Sequence, residues 1–171
     1  MLDDSSQLTI SPELDQPLQI LRRNLEFLVK AVSTACYYRI WRDALRTIHD
    51  LLWQDVLLRQ SFSTSGAAQF TRDLSAIFAL VNRFVTGGSG AFELLSEGAT
   101  LLSLPVEAAP EAAEGEGSGK AMTLKEATDR VFTDNDEARG VLEELRLGSL
   151  TPSNARQILQ RRVENNENVG W

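Results

Sequence analysis

The sequence predicts an all-α protein: an antiparallel helical bundle of about four main helices, then a disordered linker, then two or three short C-terminal helices. Three observations carry this expectation. Large apolar residues recur at spacings of three and four from Leu18 to Leu102, the period of a helix with one buried stripe. No run of alternating apolar and polar residues is bounded by turn signals on both sides, so no sheet is expected. Between the periodic runs lie proline, glycine and serine clusters that start or stop helices.

Residues 1–11 are polar and are expected to be disordered. Ser11-Pro12 reads as a cap followed by proline at the first helical position, with Asp15-Gln16-Pro17 as a second possible start. Leu18, Leu21, Leu25, Leu28 and Val32 then form one stripe. Ser33-Thr34 predicts a bend or break. A second helix is expected from about Tyr37 to Arg59, with Tyr37, Trp41, Leu45, Ile48, Leu52 and Val56 as its main stripe. Further apolar residues on both sides widen that stripe, so this helix is to be buried over much of its circumference. Ser61–Gly66 is a turn, and a third helix is expected from about Ala67 to Val85, stopped by Gly87-Gly88-Ser89-Gly90. A fourth runs from about Ala91 to Ser103, weakened by Gly98 and closed by Pro105.

Residues 106–121 hold four glutamates and three glycines and no large apolar residue beyond Val106. Such a stretch buries too little to offset its ordering entropy and predicts a disordered acidic linker. Residues 122–171 are read as a short helical tail. Thr123 is placed to cap Leu124–Phe132, Asp134 to cap a helix reaching Leu147 before Gly148, and Thr151-Pro152 to start a helix over about Ser153–Glu164. The chain thus divides into 1–11, a bundle at 12–105, the linker at 106–121 and the tail at 122–171.

The net charge is −7. Residues 1–105 carry 9 basic and 11 acidic groups, and residues 106–171 carry 8 and 13. Neither half offers the basic field that nucleic acid or anionic lipid favours. Arg22-Arg23 and Arg161-Arg162 are local basic pairs, read as solvated helix faces before phosphate contacts. No apolar run approaches the ~20 residues of a membrane span, and the acidic start, Met1-Leu2-Asp3-Asp4, lacks the pattern of a secretory signal. The expectation is a cytoplasmic protein, peripheral to a membrane at most, with no small-molecule substrate.

No pattern for catalysis or metal binding emerges. His49 is the single histidine and Cys36 the single cysteine. They match no zinc spacing, and 13 residues apart on one helix they face different sides. Ser63 lacks a nucleophile elbow, so a hydrolase built on Ser63 or Cys36 is the weakest reading. The Gly87–Gly90 run lacks the Lys-Ser/Thr of a phosphate cradle. Asp134, Asp136, Glu137, Glu143 and Glu144 do not fit a calcium loop and read as a solvated acidic face. No catalytic, cofactor or metal residue is assigned, and no cofactor is expected. Tyr37, Tyr38, Trp41 and Trp53 are core residues or interface anchors.

Three strings resemble the C-terminal helical region of the Tip/RINT family of vesicle-tethering subunits: Tyr38-Arg39-Ile40-Trp41-Arg42; Leu51-Leu52-Trp53-Gln54-Asp55-Val56-Leu57; and Phe62-Ser63-Thr64-Ser65-Gly66-Ala67-Ala68-Gln69-Phe70-Thr71-Arg72-Asp73-Leu74. Ala76-Ile77-Phe78 and Leu101-Leu102-Ser103-Leu104 extend the likeness, which spans Leu18 to Leu104 and stops short of the tail. The resemblance implies a helical-rod subunit of the Dsl tethering complex, called NRZ in animals, at the endoplasmic reticulum. Such a complex captures Golgi-derived retrograde vesicles and contacts SNARE proteins of the reticulum and other tether subunits. It implies no enzymatic activity and no cofactor. Family members are several times longer, with N-terminal helices that pair with a sister subunit. Animal members are also linked to a DNA-damage checkpoint, which suggests an alternative: an adaptor acting through the acidic C-terminal tail.

Overall fold

A computed structural model describes residues 9–85, 88–107 and 122–167. Among the described residues every regular element is a helix: α1 Pro12–Ala31, α2 Thr34–Leu51, α3 Thr64–Phe84, α4 Glu93–Leu102, α5 Leu124–Thr133, α6 Asn135–Glu144, α7 Pro152–Leu159 and α8 Val163–Glu167. The all-α expectation holds. Residues 1–8, most of the expected linker (108–121), Gly87 and the C-terminal Val169 and Trp171 lie outside the described residues.

The helix starts follow their caps. Ser33 accepts from the Cys36 amide, Ser63 from Gly66, Thr123 from Glu126, and Asp134 from Asp136 and Glu137. Thr151 and Asn154 close a reciprocal capping box. Because Ser33 and Ser63 do the capping, α2 and α3 each begin three residues before the positions expected from periodicity alone.

Ser11 differs. It precedes α1, yet its side chain does not cap that helix. Its amide and hydroxyl instead donate to the two Asp73 carboxylate oxygens at 2.9 and 2.6 Å. Gln69 donates to the Thr9 carbonyl at 2.8 Å. Residues 9–11 are therefore held against α3 rather than frayed. The helix then runs on through Pro17 instead of restarting there.

Three ends depart from expectation. The second helix does not continue as α-helix to Arg59; Leu52–Leu57 form a π turn, with the Leu58 amide reaching the Trp53 carbonyl at 3.0 Å. That turn brings Trp53 and Leu57 against Gly98 of α4. A Cβ at Gly98 would lie 2.8 Å from Leu57 Cδ2 and 3.2 Å from the Trp53 ring, so the glycine that weakens α4 is what lets the helices meet. The α6 helix stops at Glu144, before Gly148, because Arg146 takes the left-handed conformation (φ 57°) and the Leu147 amide closes back on Leu142 at 2.8 Å. The α7 helix ends at Leu159, not near Glu164.

Past α7 the chain crosses to the start of α3. Phe62 donates to the Arg161 carbonyl at 2.7 Å and accepts from the Val163 amide at 3.0 Å, an isolated parallel bridge. Between these two bonds Arg162 turns inward and is 0% exposed. Its guanidinium donates to the carbonyls of Leu102 (2.5 Å) and Leu104 (3.2 Å), to the Thr64 hydroxyl (2.9 Å) and to Glu164 (3.0 Å). Glu164 in turn accepts from the amide and hydroxyl of Thr64 at 2.8 and 2.7 Å. This is the opposite of the solvated basic pair expected from the sequence. Two leucine carbonyls at the end of α4 supply acceptors that no side-chain pattern reveals.

The core is continuous through these elements. Tyr37, Trp41 and Leu45 of α2, Phe70, Leu74 and Ile77 of α3, and Leu95, Ala99 and Leu102 of α4 are buried. So are Ala127 and Val131 of α5, Val141 and Leu142 of α6, and Ile158 and Leu159 of α7. α3 packs on α4, α4 on α7, and α5 on both α6 and α7. Two polar ties reinforce the C-terminal half: Glu97 accepts from the Ser149 and Leu150 amides at 2.8 and 3.1 Å, and Arg156 donates to the Val131 carbonyl at 2.9 Å. α1 is the exception. Leu25 is the only buried residue of its 20.

Removing these constraints has measurable consequences. Arg162→Ala removes the donor of two buried carbonyls and the counter-charge of Glu164 and should lower stability by about 3–5 kcal/mol in denaturant unfolding. Burial alone would push the Glu164 carboxyl up, but its bonds from Arg162, Thr64 and its own backbone amide bring it down from 4.5 to about 2. Its stabilising contribution is thus full above about pH 4.5 and drains away as the pH falls toward about 2. In Glu164→Gln the acid limb of stability against pH should be visibly shallower across that window. Arg146→Gly relieves a left-handed residue that carries a Cβ and should raise stability by about 1 kcal/mol in the same unfolding measurement.

Candidate interaction surface

The short connection Val32-Ser33 folds α2 back beside α1. An apolar groove of about 530 Å³ lies between the first half of α1 and the end of α2. Pro17, Ile20, Leu21 and Asn24 form one wall, Thr47, Ile48, Leu51 and Leu52 the other, and Ile77 of α3 contributes to the lining. Leu14, and Leu18 and Leu21 of the α1 stripe, also face the groove, and the Pro17–Ile20–Asn24 flank beside them is exposed. Leu51, at the last α-helical position before the π turn, is 54% exposed on the opposite wall, and Ile20 is similarly bare. Ile20 lies outside the stripe read from spacing; Leu51, with Tyr38 and Ile40, is among the residues that widen the second helix's stripe, and the exposure of all three means that helix is buried over less of its circumference than its composition predicts. Ile20 signals itself in the sequence as a large apolar residue off the core stripe of its helix; Leu51 does not.

The residues singled out by the sequence take other roles. Tyr37, Trp41 and Trp53 are core residues, and Tyr38 is exposed. Tyr37 donates to the Phe84 carbonyl at 3.2 Å; burial and the neighbouring Tyr38 raise its pKa. His49 stacks on Trp53, with ring centroids 6.2 Å apart, and its Nδ1 lies 3.2 Å from Asp50. Cys36 is exposed at the other end of the same helix, about 20 Å away along the axis at 1.5 Å per residue. The two do not form a nucleophile pair. The Ser63 hydroxyl caps α3 and lies 3.1 Å from that of Ser65, with no base beside it. Gly88 and Gly90 lie in a 3₁₀ turn, Gly88–Phe92. Asp134 caps α6, Asp136 pairs with Arg139, and Glu137 and Glu144 share Arg130. Among the described residues no three His, Cys, Asp or Glu side chains converge as a metal site. Arg22 pairs with Glu26 on the surface. Arg161 is part-buried, with its Nε lacking a described partner.

The string that carries most of the family likeness has a structural explanation residue by residue. Phe62 bridges to Arg162 and packs on Phe70 at 5.4 Å. Ser63 caps α3, and Ala67 and Leu74 are buried. Gln69 and Asp73 hold residues 9–11. It is a node that joins both ends of the described chain to α3, and it lies outside the groove.

The described residues form an all-α unit with an uncovered apolar groove between α1 and α2. A sequence profile of the RINT-1/TIP-1 family matches residues 1–162, and the chain belongs to that family. The match runs from before α1 to Arg162, well past the Leu104 limit read from the motifs, and so includes α5–α7. Membership implies a tethering-related role in transport between the Golgi and the endoplasmic reticulum. No curated protein and no solved structure matches the chain. No helix among the described residues is long and apolar enough to cross a membrane.

Proposed function

We propose that this chain is a non-enzymatic interaction module of a vesicle-tethering subunit and that it receives an amphipathic helix of a partner in the α1–α2 groove. The partner is a SNARE protein of the endoplasmic reticulum or a neighbouring subunit of a Dsl/NRZ-type complex, and the setting is the cytoplasmic face of that membrane. The supporting observation is the groove itself: about 530 Å³ of apolar space between two helices, flanked by Ile20 and Leu51, with little to offer a polar small molecule. A helix laid there would extend the packing already made by α1 on α3, large residues seating between the two walls. The mechanism is burial of apolar area at the groove, with a polar rim to set register. The single buried residue of α1 also fits a helix that gains its missing contacts from a partner.

Leu51→Glu and Ile20→Glu each place a charge in the groove without touching the core. In calorimetry against the cytosolic domain of a reticulum SNARE, or against a sister tether subunit, each should weaken binding at least about 30-fold, some 2 kcal/mol. Thermal stability should stay within a few degrees of the parent. Unaltered affinity in both variants would remove the groove as the site.

A further inference from the structure

The turn between α1 and α2 forms the other end of the same hairpin, and its chemistry is different. Residues 22–43 carry five basic side chains, Arg22, Arg23, Lys30, Arg39 and Arg42, against Glu26 and Asp43 alone. That is a net of +3 in a chain whose total is −7. The whole-chain balance read from the sequence conceals this field, because the acidic residues lie elsewhere. All five are exposed, and among the described residues only Arg22 has an ion-pair partner there, Glu26 at 2.9 Å. The far end of the groove is the reverse, with Glu13, Asp15, Asp50 and Asp55 and no Lys or Arg in residues 12–21 or 47–57; Arg22 and Arg23, between the groove-lining Leu21 and Asn24, mark where the basic stretch begins.

The same turn is ringed by bare apolar side chains. Phe27, 68% exposed, and Val29 stand in the last turns of α1; Tyr38 and Ile40 stand in the first turns of α2. All four lie within about 9 Å of the turn along their helix axes. Each pair is two residues apart, which sets its members about 200° apart around the helix. A partner helix reads one stripe, at spacings of three and four. Apolar groups pointing to opposite sides of both helices do not make one stripe. They suit a tip that enters a layer from its end, with a cationic collar at the level of the charge.

We propose that the α1–α2 tip is a peripheral contact for anionic lipid, its aromatic and branched side chains entering the headgroup layer while Arg23, Lys30, Arg39 and Arg42 meet lipid phosphates and carboxylates. The contact is centred on the turn and leaves the far end of the groove, at Pro17 and Leu51, free. No span of the bilayer is involved.

Cys36, the single cysteine, lies exposed in the first turn of α2 and reports on the tip directly. The full chain, carrying an environment-sensitive fluorophore on Cys36, is mixed with phosphatidylcholine vesicles with or without about 30% phosphatidylserine, and bound protein is measured by flotation. Phosphatidylserine should raise the bound fraction at least about tenfold and shift the dye emission to the blue. About 0.5 M salt should remove most of the gain. Arg39→Glu with Arg42→Glu, and Phe27→Ser with Ile40→Ser, alter only exposed side chains; each pair should lower partitioning by about fivefold per residue or more, with helicity unchanged. Equal binding to both vesicles, absence of the dye shift on anionic vesicles, or capture of soluble polyglutamate in preference to phosphatidylserine vesicles would each overturn the proposal. Should a variant fail to fold, the salt titration of the unaltered chain decides the matter alone: loss of the phosphatidylserine gain supports the contact, and a gain that survives about 0.5 M salt overturns it.

Discussion

A fully buried arginine governs how this chain closes. Arg162 has no water to solvate its charge, and such a group is tolerated only when its donors are used and a counter-charge stands close. Its position is fixed by three segments far apart in sequence: the Leu102 and Leu104 carbonyls at the end of α4 and just beyond it, Thr64 at the start of α3, and Glu164 at the start of α8. None of these partners is free to move without stranding the others. The backbone bridge between Phe62 and Arg162 adds a second constraint at the same place. The C-terminal helices are therefore not simply appended to the bundle; the segment that follows α7 is built into the start of α3, and the side chains of α5–α7 join the core that α4 shares.

That closure leaves α1 as the outlying helix, packed on α2 and α3. α1 is pinned at its beginning, where Asp73 and Gln69 hold Thr9 and Ser11, and through one leucine stripe along its length. Everything else on it faces outward. The two ends of the α1–α2 hairpin then differ in kind: an apolar groove with acidic residues near it, and a basic tip with apolar residues around it.

Much of the fold is legible in the sequence because helix boundaries are written in local chemistry. Ser33, Thr123, Asp134 and Thr151-Pro152 announce their helices through hydrogen bonds that depend on neighbouring residues alone. What escapes the sequence is non-local. Arg162 looks like half of an ordinary basic pair until the leucine carbonyls are brought to it. Ser11 looks like a cap until Asp73 takes its hydroxyl. Gly148 looks like the stop of α6 because glycine is the usual left-handed residue, yet Arg146 adopts that conformation two positions earlier. The π turn at Leu52–Leu57 breaks the three-and-four rhythm too gently for periodicity to register. The interaction surfaces are legible only in part. The apolar width of the second helix is apparent, but the groove depends on how α1 sits beside α2, which no residue pattern encodes. The basic tip is hidden when charge is summed over the half-chain instead of over the residues that share an end of the molecule. The family string from Phe62 to Leu74 points correctly to kinship while marking a structural node in place of a binding site.

Native-state hydrogen exchange tests the closure most directly. If Arg162 makes the C-terminal helices part of one closed unit, the amides of α7 from Ala155 to Leu159 and those of α3 from Phe70 to Leu74 should open with the same free energy, that of global unfolding. An α7 that opens at a free energy lower by more than about 2 kcal/mol, while α3 stays protected, would contradict it.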